Sequence, residues 1–159
     1  MRLPHDGVAK AFPTERACSR RLRKVRWPEG VRCTRCEAKN VGHLAKRQSY
    51  YCRECRHQFS VTSQSLLHKS HLSPRKWFIA AEYVIGHYAR NIGWDGPTGD
   101  ALRLHLSCSY SAAHRLKVLL LDDLLMPDGG LLGRCVCTRP ELTAAQRALL
   151  LMPDYSKYM

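Results

Sequence analysis

Two Cys-x-x-Cys pairs, separated by fifteen residues, constrain the fold of this chain more than any other feature. Cys33, Cys36, Cys52 and Cys55 form the pattern C-x2-C-x15-C-x2-C. Each pair can form a turn whose two sulfur atoms converge on one ion, and a hairpin between the pairs would bring the two turns together. Four thiolates fill the tetrahedral shell of Zn²⁺ and leave no coordination position for water. The spacing therefore predicts one structural zinc ion, held by a small β zinc ribbon.

The surroundings of these cysteines favour zinc over the alternative, a redox-active pair. A redox Cys-x-x-Cys motif normally lies in a βαβ setting, which this sequence lacks. An arginine flanks each of the four cysteines, where its charge would offset the negative charge of a four-thiolate site. We expect the other cysteines to pack as small apolar side chains, although the C-x-C spacing of the last two leaves metal binding or oxidation open. They are Cys18, Cys108, Cys135 and Cys137.

The formal net charge of +13 is concentrated in the first part of the chain. Residues 1–60 hold 15 Lys and Arg against 5 Asp and Glu, whereas residues 121–159 hold 4 against 5. This distribution predicts a polyanionic partner, bound mainly by the first two-thirds of the chain. No apolar run approaches the ~20 residues that a membrane helix needs, and the N-terminus lacks the apolar core of a signal peptide. We therefore expect a cytoplasmic protein with no membrane partner.

Two helices are predicted on either side of the cysteine region. The first lies in PTERACSRRLRKVRW, where Thr14 can cap it and apolar residues recur at helical spacing. The second lies in SPRKWFIAAEYVIGHYAR, residues 73–90, where Ser73 and Pro74 are typical of a helix start. Between them, aromatic and β-branched segments such as YYC and HQFSVT predict short strands.

Residues 98–121, TGDALRLHLSCSYSAAHRLKVLLL, predict a short helix, a tight turn and a second helix. Ser109 can cap the second helix, whose Ala113, Leu116 and Leu120 would point inward. The outward face of the second helix then carries residues whose side chains suit phosphate and base-edge contacts in a major groove. These residues are Tyr110, Ser111, His114 and Arg115. The alternative is a two-helix hairpin that does not recognise DNA bases.

The fold class predicted from these elements is mostly α with a small β zinc ribbon, a four-cysteine ribbon followed by a helical helix-turn-helix region. We divide the chain into a basic N-terminal helix (1–30), the ribbon (31–65), the helical DNA-binding region (72–126) and a tail (127–159). In the tail, LLGRCVC predicts a strand, and TAAQRALLLM predicts a helix with a capping box at Thr143 and Gln146. Two roles stay open for the tail: packing on the core, or forming a homodimer.

Several motifs, in order, resemble the N-terminal region of certain bacterial insertion-sequence transposases. The resemblance covers residues 12–120, and SCSYSAAHRL is similar to the family's helix-turn-helix. Gln64 stands where the family pattern has a small Gly. The shared motifs are Phe12-Pro13-Thr14, Trp27-Pro28 before the first cysteine pair, Cys52-x-x-Cys55-Arg56 before Phe59-Ser60-Val61-Thr62, and a helix that contains Trp77.

The resemblance implies a catalytic domain whose expected acidic residues are not found in this sequence. Family members continue into an RNase-H-like domain whose acidic residues hold two metal ions, the first Asp coming soon after a Leu-Gly stretch like residues 132–133. Here no acidic residue follows that stretch until Glu141, and the 33 residues after position 126 are too few for a domain of about 100 residues. Asp122 and Asp123 are expected to form a solvated face. We therefore expect no catalysis by this chain alone.

The leading interpretation is a zinc-dependent protein that binds double-stranded DNA, resembles the DNA-binding half of a transposase, and serves as a non-catalytic regulator or end-binding protein. One alternative is a truncated transposase remnant that needs a separate catalytic subunit. The other is an RNA- or ribosome-associated zinc-ribbon protein. The candidate nucleic-acid contacts are Arg20, Arg21, Arg23, Lys24, Arg26, Lys46, Arg47, Arg56, Tyr110, Ser111, His114 and Arg115.

Overall fold

Six helices and one three-stranded sheet make up the part of the chain that the computed structural model describes, residues 2–90 and 96–137. This mixture confirms the predicted fold class of a mostly helical chain with a small β ribbon. In chain order the elements are α1 (Val8–Ala11), α2 (Glu15–Arg26), β1 (Val41–Leu44), β2 (Ser49–Cys52), β3 (Gln58–Ser60), α3 (Pro74–Arg90), α4 (Gly99–Leu106), α5 (Tyr110–Leu124) and α6 (Gly130–Val136).

The predicted first helix is α2, and it begins at the predicted cap. The Thr14 Oγ1 atom accepts a hydrogen bond of 3.1 Å from the Ala17 backbone N–H, which satisfies one of the free donors at the helix start. Cys18 and Leu22 are fully buried on the inner face of the helix. Burial raises the pKa of the Cys18 thiol to about 11, so this cysteine is an inert core residue, as predicted.

The ribbon is an antiparallel sheet in the order β1-β2-β3. Its small core is aromatic: Tyr50 and Phe59 face each other across β2 and β3 with ring centroids 5.5 Å apart. Trp27, which follows α2, lies 6.0 Å from the Tyr50 ring and 6.1 Å from the Phe59 ring. Trp27 packs against both the ribbon core and the main helical core, so it joins the two parts of the chain.

The predicted helix over residues 73–90 forms as α3, and the helical core is built around it. Trp77 and Phe78 are almost completely buried, and Phe12 packs edge-on against the Phe78 ring at 5.3 Å. The short helix α1 was not predicted, because four residues are too few to show a helical repeat. Its first backbone N–H, that of Val8, donates a hydrogen bond of 2.7 Å to Glu82 of α3. This bond ties α1 to the core.

The helices α4 and α5 follow the predicted order of short helix, tight turn and second helix. The Ser109 hydroxyl accepts a hydrogen bond from the Ala112 backbone N–H at 3.3 Å and caps α5. Ala113, Leu116 and Leu120 are buried, as predicted from their spacing. In the turn, Ser107 adopts a left-handed conformation with φ 48°.

Two predictions at the end of the described region are wrong. The segment LLGRCVC does not form a strand, because most of it lies in α6, where Leu132, Cys135 and Val136 are buried. A short apolar run fits a strand and a buried helix equally well, so its pattern could not separate them. The predicted helix with Thr143 and Gln146 lies outside the described residues.

Asp123 is the second correction, since it does not belong to a solvated face. Its carboxylate accepts hydrogen bonds from the backbone N–H groups of Leu131, at 2.8 Å, and Leu132, at 2.7 Å. The side chain therefore caps the start of α6 from the end of α5. Burial raises its pKa and outweighs these two hydrogen bonds, which lower it. Its neighbour Asp122 is exposed, as predicted.

None of the helices in the described residues is long and apolar enough to cross a membrane.

Candidate metal centre and nucleic-acid interface

The four predicted ligands converge on one point at the edge of the ribbon. All four Sγ atoms lie within 4.8 Å of one another. The Sγ atoms of Cys33 and Cys55 are 3.5 Å apart, and those of Cys36 and Cys52 are 3.6 Å apart. A tetrahedral ion with Zn–S bonds of ~2.3 Å would place its sulfur atoms roughly 3.8 Å apart. The cysteines are therefore positioned to bind one zinc ion, which confirms the predicted cofactor and its ligands.

The two cysteine turns repeat the same backbone geometry. The N–H of Cys33 donates to the Ala38 carbonyl, and the N–H of Cys52 donates to the His57 carbonyl, both at 2.9 Å. The residue after the second cysteine of each pair, Glu37 or Arg56, is left-handed with φ 58°. This conformation is unfavourable for a residue with a side chain, so each turn holds its shape against a local cost of about 1–2 kcal/mol.

The surroundings of the sulfur atoms lower the pKa of Cys33 and raise that of Cys36. Burial raises the pKa of Cys33, but hydrogen bonds from the backbone N–H groups of Arg35 and Cys36 and from nearby thiols outweigh it and lower the pKa to about 7. For Cys36, the Ala38 N–H lowers the pKa, but burial and the neighbouring cysteines outweigh it and raise the pKa to about 12. Four thiolates this close together need a bound cation, and metal binding releases their protons.

The thiol cluster is distinctive in this protein. Within residues 2–90 and 96–137, these four cysteines are the one group of three or more Cys, His, Asp or Glu side chains whose ligand atoms come together. A cluster of acidic residues that could hold two metal ions for strand cleavage is therefore not found in that part of the chain. Cys33 and Cys52 are buried, which shields the centre on the side of the aromatic core.

Two of the candidate DNA contacts on α2 are engaged within the protein. Arg21 donates from Nε to the Cys135 carbonyl at 3.0 Å and from Nη2 to the Arg134 carbonyl at 2.8 Å, so it binds the end of α6. Arg26 donates to the Val61 carbonyl, and its guanidinium lies 4.6 Å from the Trp27 ring centroid. Burial lowers the pKa of Arg26. These contacts hold α2 to its neighbours and leave fewer donors for a partner.

Arg20 and Arg23 line an open groove between α2 and the ribbon, with a volume of about 290 Å³. Arg16, one turn earlier on α2, lines the same groove, and His43 and Gln48 lie across it. Arg16 was not among the predicted contacts, although its spacing from Arg20 and Arg23 places the three on one helical face. The remaining basic candidates, all exposed, lie outside this groove: Lys24, Lys46, Arg47 and Arg56.

The four candidates on α5 share an exposed face at the start of that helix. Tyr110 is 57% exposed, and its ring lies 6.1 Å from the His114 ring. Ser111 and Arg115 are also exposed. The opposite face of the helix is buried, so these side chains project from a fixed support. The structure thus groups the candidates into a face of α5 and a groove beside α2.

The comparisons with known proteins agree with the predicted resemblance. Residues 13–58 match a family model described as the transposase zinc-ribbon domain. A protein described as uncharacterized in the transposable element ISH50 of Halobacterium salinarum is 34% identical over 74 residues, which is 45% of this chain and 25% of that relative. The alignment thus spans about a quarter of the relative's length. No solved structure gives a significant match. The predicted resemblance to a transposase zinc-ribbon region is confirmed.

Proposed function

We propose that this chain is a zinc-dependent protein that prefers certain sequences of double-stranded DNA and acts, without catalysis of its own, as a regulator or as an end-binding protein. It is therefore expected at the bacterial nucleoid. The observation that carries the proposal is the exposed face of α5. Tyr110, Ser111, His114 and Arg115 project outward from it, while Ala113, Leu116 and Leu120 fix the other face against the core.

A helix of this kind suits the major groove of DNA. The groove admits an α-helix, and the first residues of a recognition helix contact the base edges. Arg115 can donate two hydrogen bonds to a guanine, and Tyr110, Ser111 and His114 offer further polar contacts. The helix α4 and the turn at Ser107 hold the start of α5 in place. We infer that α5 supplies sequence preference.

The groove beside α2 would supply affinity rather than preference. Arg16, Arg20 and Arg23 point from one face of α2 toward the space shared with the ribbon. Arginine and lysine contacts to phosphate position a protein on DNA without reading its sequence. The zinc ribbon forms the other wall of this groove, through His43 and Gln48. Loss of the metal should therefore remove this part of the interface.

Two arginine variants test whether α5 contacts bases while the groove beside α2 contacts phosphates. Replacing Arg115 with Ala should weaken binding to a preferred duplex by about 5- to 150-fold, because a bidentate base contact is worth ~1–3 kcal/mol, and should leave unrelated duplexes almost unaffected. Arg23→Ala should weaken preferred and unrelated duplexes alike. The measurement is fluorescence anisotropy with both duplexes at several salt concentrations.

The matched control removes an arginine that already has a partner. Arg103 of α4 forms an ion pair with Asp100 at 2.8 Å, so Arg103→Ala changes the net charge equally without removing a proposed contact. It should bind like the unmodified protein. Equal losses for Arg115→Ala on preferred and unrelated duplexes would contradict a reading role for α5.

A second candidate is a truncated transposase remnant that needs a separate catalytic chain. The match to a transposase zinc ribbon and the relative within a transposable element favour this candidate. The purified chain with Mg²⁺ should then leave DNA uncut, and cleavage at a bound site should appear when a catalytic chain encoded by a neighbouring reading frame is added. Strand cleavage by the purified chain alone would contradict both candidates.

A further inference from the structure

We propose that residues 66–72, together with the start of α5, form a groove that binds the phosphate backbone of duplex DNA beside the bases that α5 reads. We call these residues the 66–72 loop. The identity of the ligand rests on the proposed function, whereas the groove itself is a feature of the structure. None of the candidate DNA contacts predicted from sequence lies in this loop, so it would add a third part to the interface, beside the face of α5 and the groove next to α2.

The groove is open and has a volume of about 310 Å³. Its basic side chains come from the loop: Lys69, His71 and His68, whose Nδ1 atom accepts a hydrogen bond of 3.3 Å from the Gln64 backbone N–H. Arg115 of α5 also lines the groove, but its guanidinium is the group proposed above for the bases, so Lys69 is the main phosphate contact. None of the residues that line the groove is acidic, so no carboxylate is present there to neutralise these groups. A polyanion is therefore the complementary ligand.

The loop presents Lys69 from a defined position. The Ser70 hydroxyl accepts hydrogen bonds from the Trp77 indole N–H at 3.0 Å and from the Leu72 backbone N–H at 3.1 Å. Leu67 is 2% exposed and anchors the loop in the core. Lys69 itself is left-handed, with φ 55°. These contacts hold the backbone from which Lys69 extends, so less backbone freedom is lost on binding than on a mobile segment.

The chemistry of the floor favours a nucleotide backbone over a small anion. Apolar side chains make up much of the lining, and a deoxyribose ring could pack on them while its phosphate meets the cationic rim. The partly exposed ones are Leu66, Leu72 and Leu119, whereas Trp77 and Leu116, at 2% and 1% exposure, offer little surface. Simple anions offer no group for such a surface. An apolar floor also suits deoxyribose better than ribose, whose 2′-hydroxyl needs a polar partner.

Arg115 fixes which part of the DNA would fill the groove. It lines the groove and also lies on the exposed face of α5 with His114. A ligand in the groove is therefore adjacent to the ligand of that face. If α5 enters the major groove of DNA, the backbone of the flanking strand passes over the 66–72 loop.

The test is the salt dependence of DNA binding by Lys69→Gln. Each phosphate contact that is lost lowers the slope of log affinity against log salt by about 0.9 for B-DNA. The variant should show a slope smaller by about one, and should weaken preferred and unrelated duplexes by the same factor. Gln keeps a long side chain and tolerates the left-handed position no better or worse than Lys. Lys69→Arg keeps the charge and should show the same salt slope as the unmodified protein.

Lys10→Gln is the matched control, because it removes the same charge from α1, where Lys10 pairs with Asp6 at 3.3 Å. Its slope should not change. Zinc content and circular dichroism should show that each variant is folded; if Lys69→Gln is not, the same comparison is made with Lys69→Gly, which removes the same charge and suits the left-handed position. Equal slopes for the loop variant and the Lys10 control would contradict DNA binding by the groove. A loss of affinity seen only with duplex RNA of the same sequence would contradict it too. Sequence preference that still depends on Arg115 would then leave the proposed function standing.

Discussion

Ser107 adopts φ 48° in the turn between α4 and α5, a conformation that favours glycine. Gln64, where the transposase pattern has a small Gly, is also left-handed, with φ 55°. The same holds for Glu37 and Arg56 in the cysteine turns. In each case a side chain is carried at a position that the backbone geometry makes unfavourable. These residues are sites where stability can be gained without altering the fold.

Replacing Ser107 with Gly should raise the free energy of unfolding by roughly 0.5–1 kcal/mol. Removing the left-handed strain gains about 1–2 kcal/mol, and the greater freedom of Gly in the unfolded chain offsets about 0.5–1 kcal/mol of it. The measurement is urea denaturation of the zinc-loaded protein. Ser19→Gly, inside α2, is the control and should lower the stability instead. A lower stability for Ser107→Gly would show that the turn is not strained.

At the scale of elements, Asp123 joins α5 to α6. Its carboxylate satisfies two backbone N–H groups in the first turn of α6, where the cap residue Gly129 and the first helical residue Gly130 have no side chain to do so. The glycines are needed here because both have positive φ, and a Cβ atom on Gly130 would lie 2.0 Å from the Asp123 carbonyl oxygen. The tight turn at Gly129 and Gly130 and the Asp123 cap together fix α6 against the end of α5.

Asp123→Ala should lower the free energy of unfolding by about 1–2 kcal/mol, the usual cost of losing a helix cap. Asp122→Ala is a close control, because Asp122 is the exposed neighbour on the same helix and its loss should change stability by less than about 0.5 kcal/mol. Thermal or chemical denaturation compares the two variants. Equal effects would mean that the two hydrogen bonds contribute nothing to holding α6.

The same elements show what the sequence could predict. The spacing of the cysteines and the 3.6-residue repeat are local signals. They were therefore enough to predict the four zinc ligands and the burial of Ala113, Leu116 and Leu120. The bonds of Arg21 to α6 join residues 113 and 114 positions apart, and nothing in the local pattern of α2 separates Arg21 from Arg20. The 66–72 loop was also missed, since its basic residues are brought beside α5 only by the packing of Trp77.

At the scale of the whole molecule, the ribbon and the helices have separate cores that meet at Trp27. The ribbon core contains Cys33, Tyr50, Cys52 and Phe59, two of which are zinc ligands. So small a core cannot be stable without its metal. Zinc removal should therefore unfold the ribbon and leave much of the helical part folded. The groove beside α2 would lose one wall, and DNA affinity would fall with it.

The most direct test of zinc-dependent, sequence-preferring DNA binding is a binding selection on random duplexes, repeated over a range of salt concentrations with zinc-loaded protein and after verified removal of zinc. We predict a consensus sequence and a steep decrease of affinity with salt for the loaded protein, and a marked loss of affinity without the metal. A flat sequence preference, or an affinity that is unchanged after complete removal of zinc, would contradict the account.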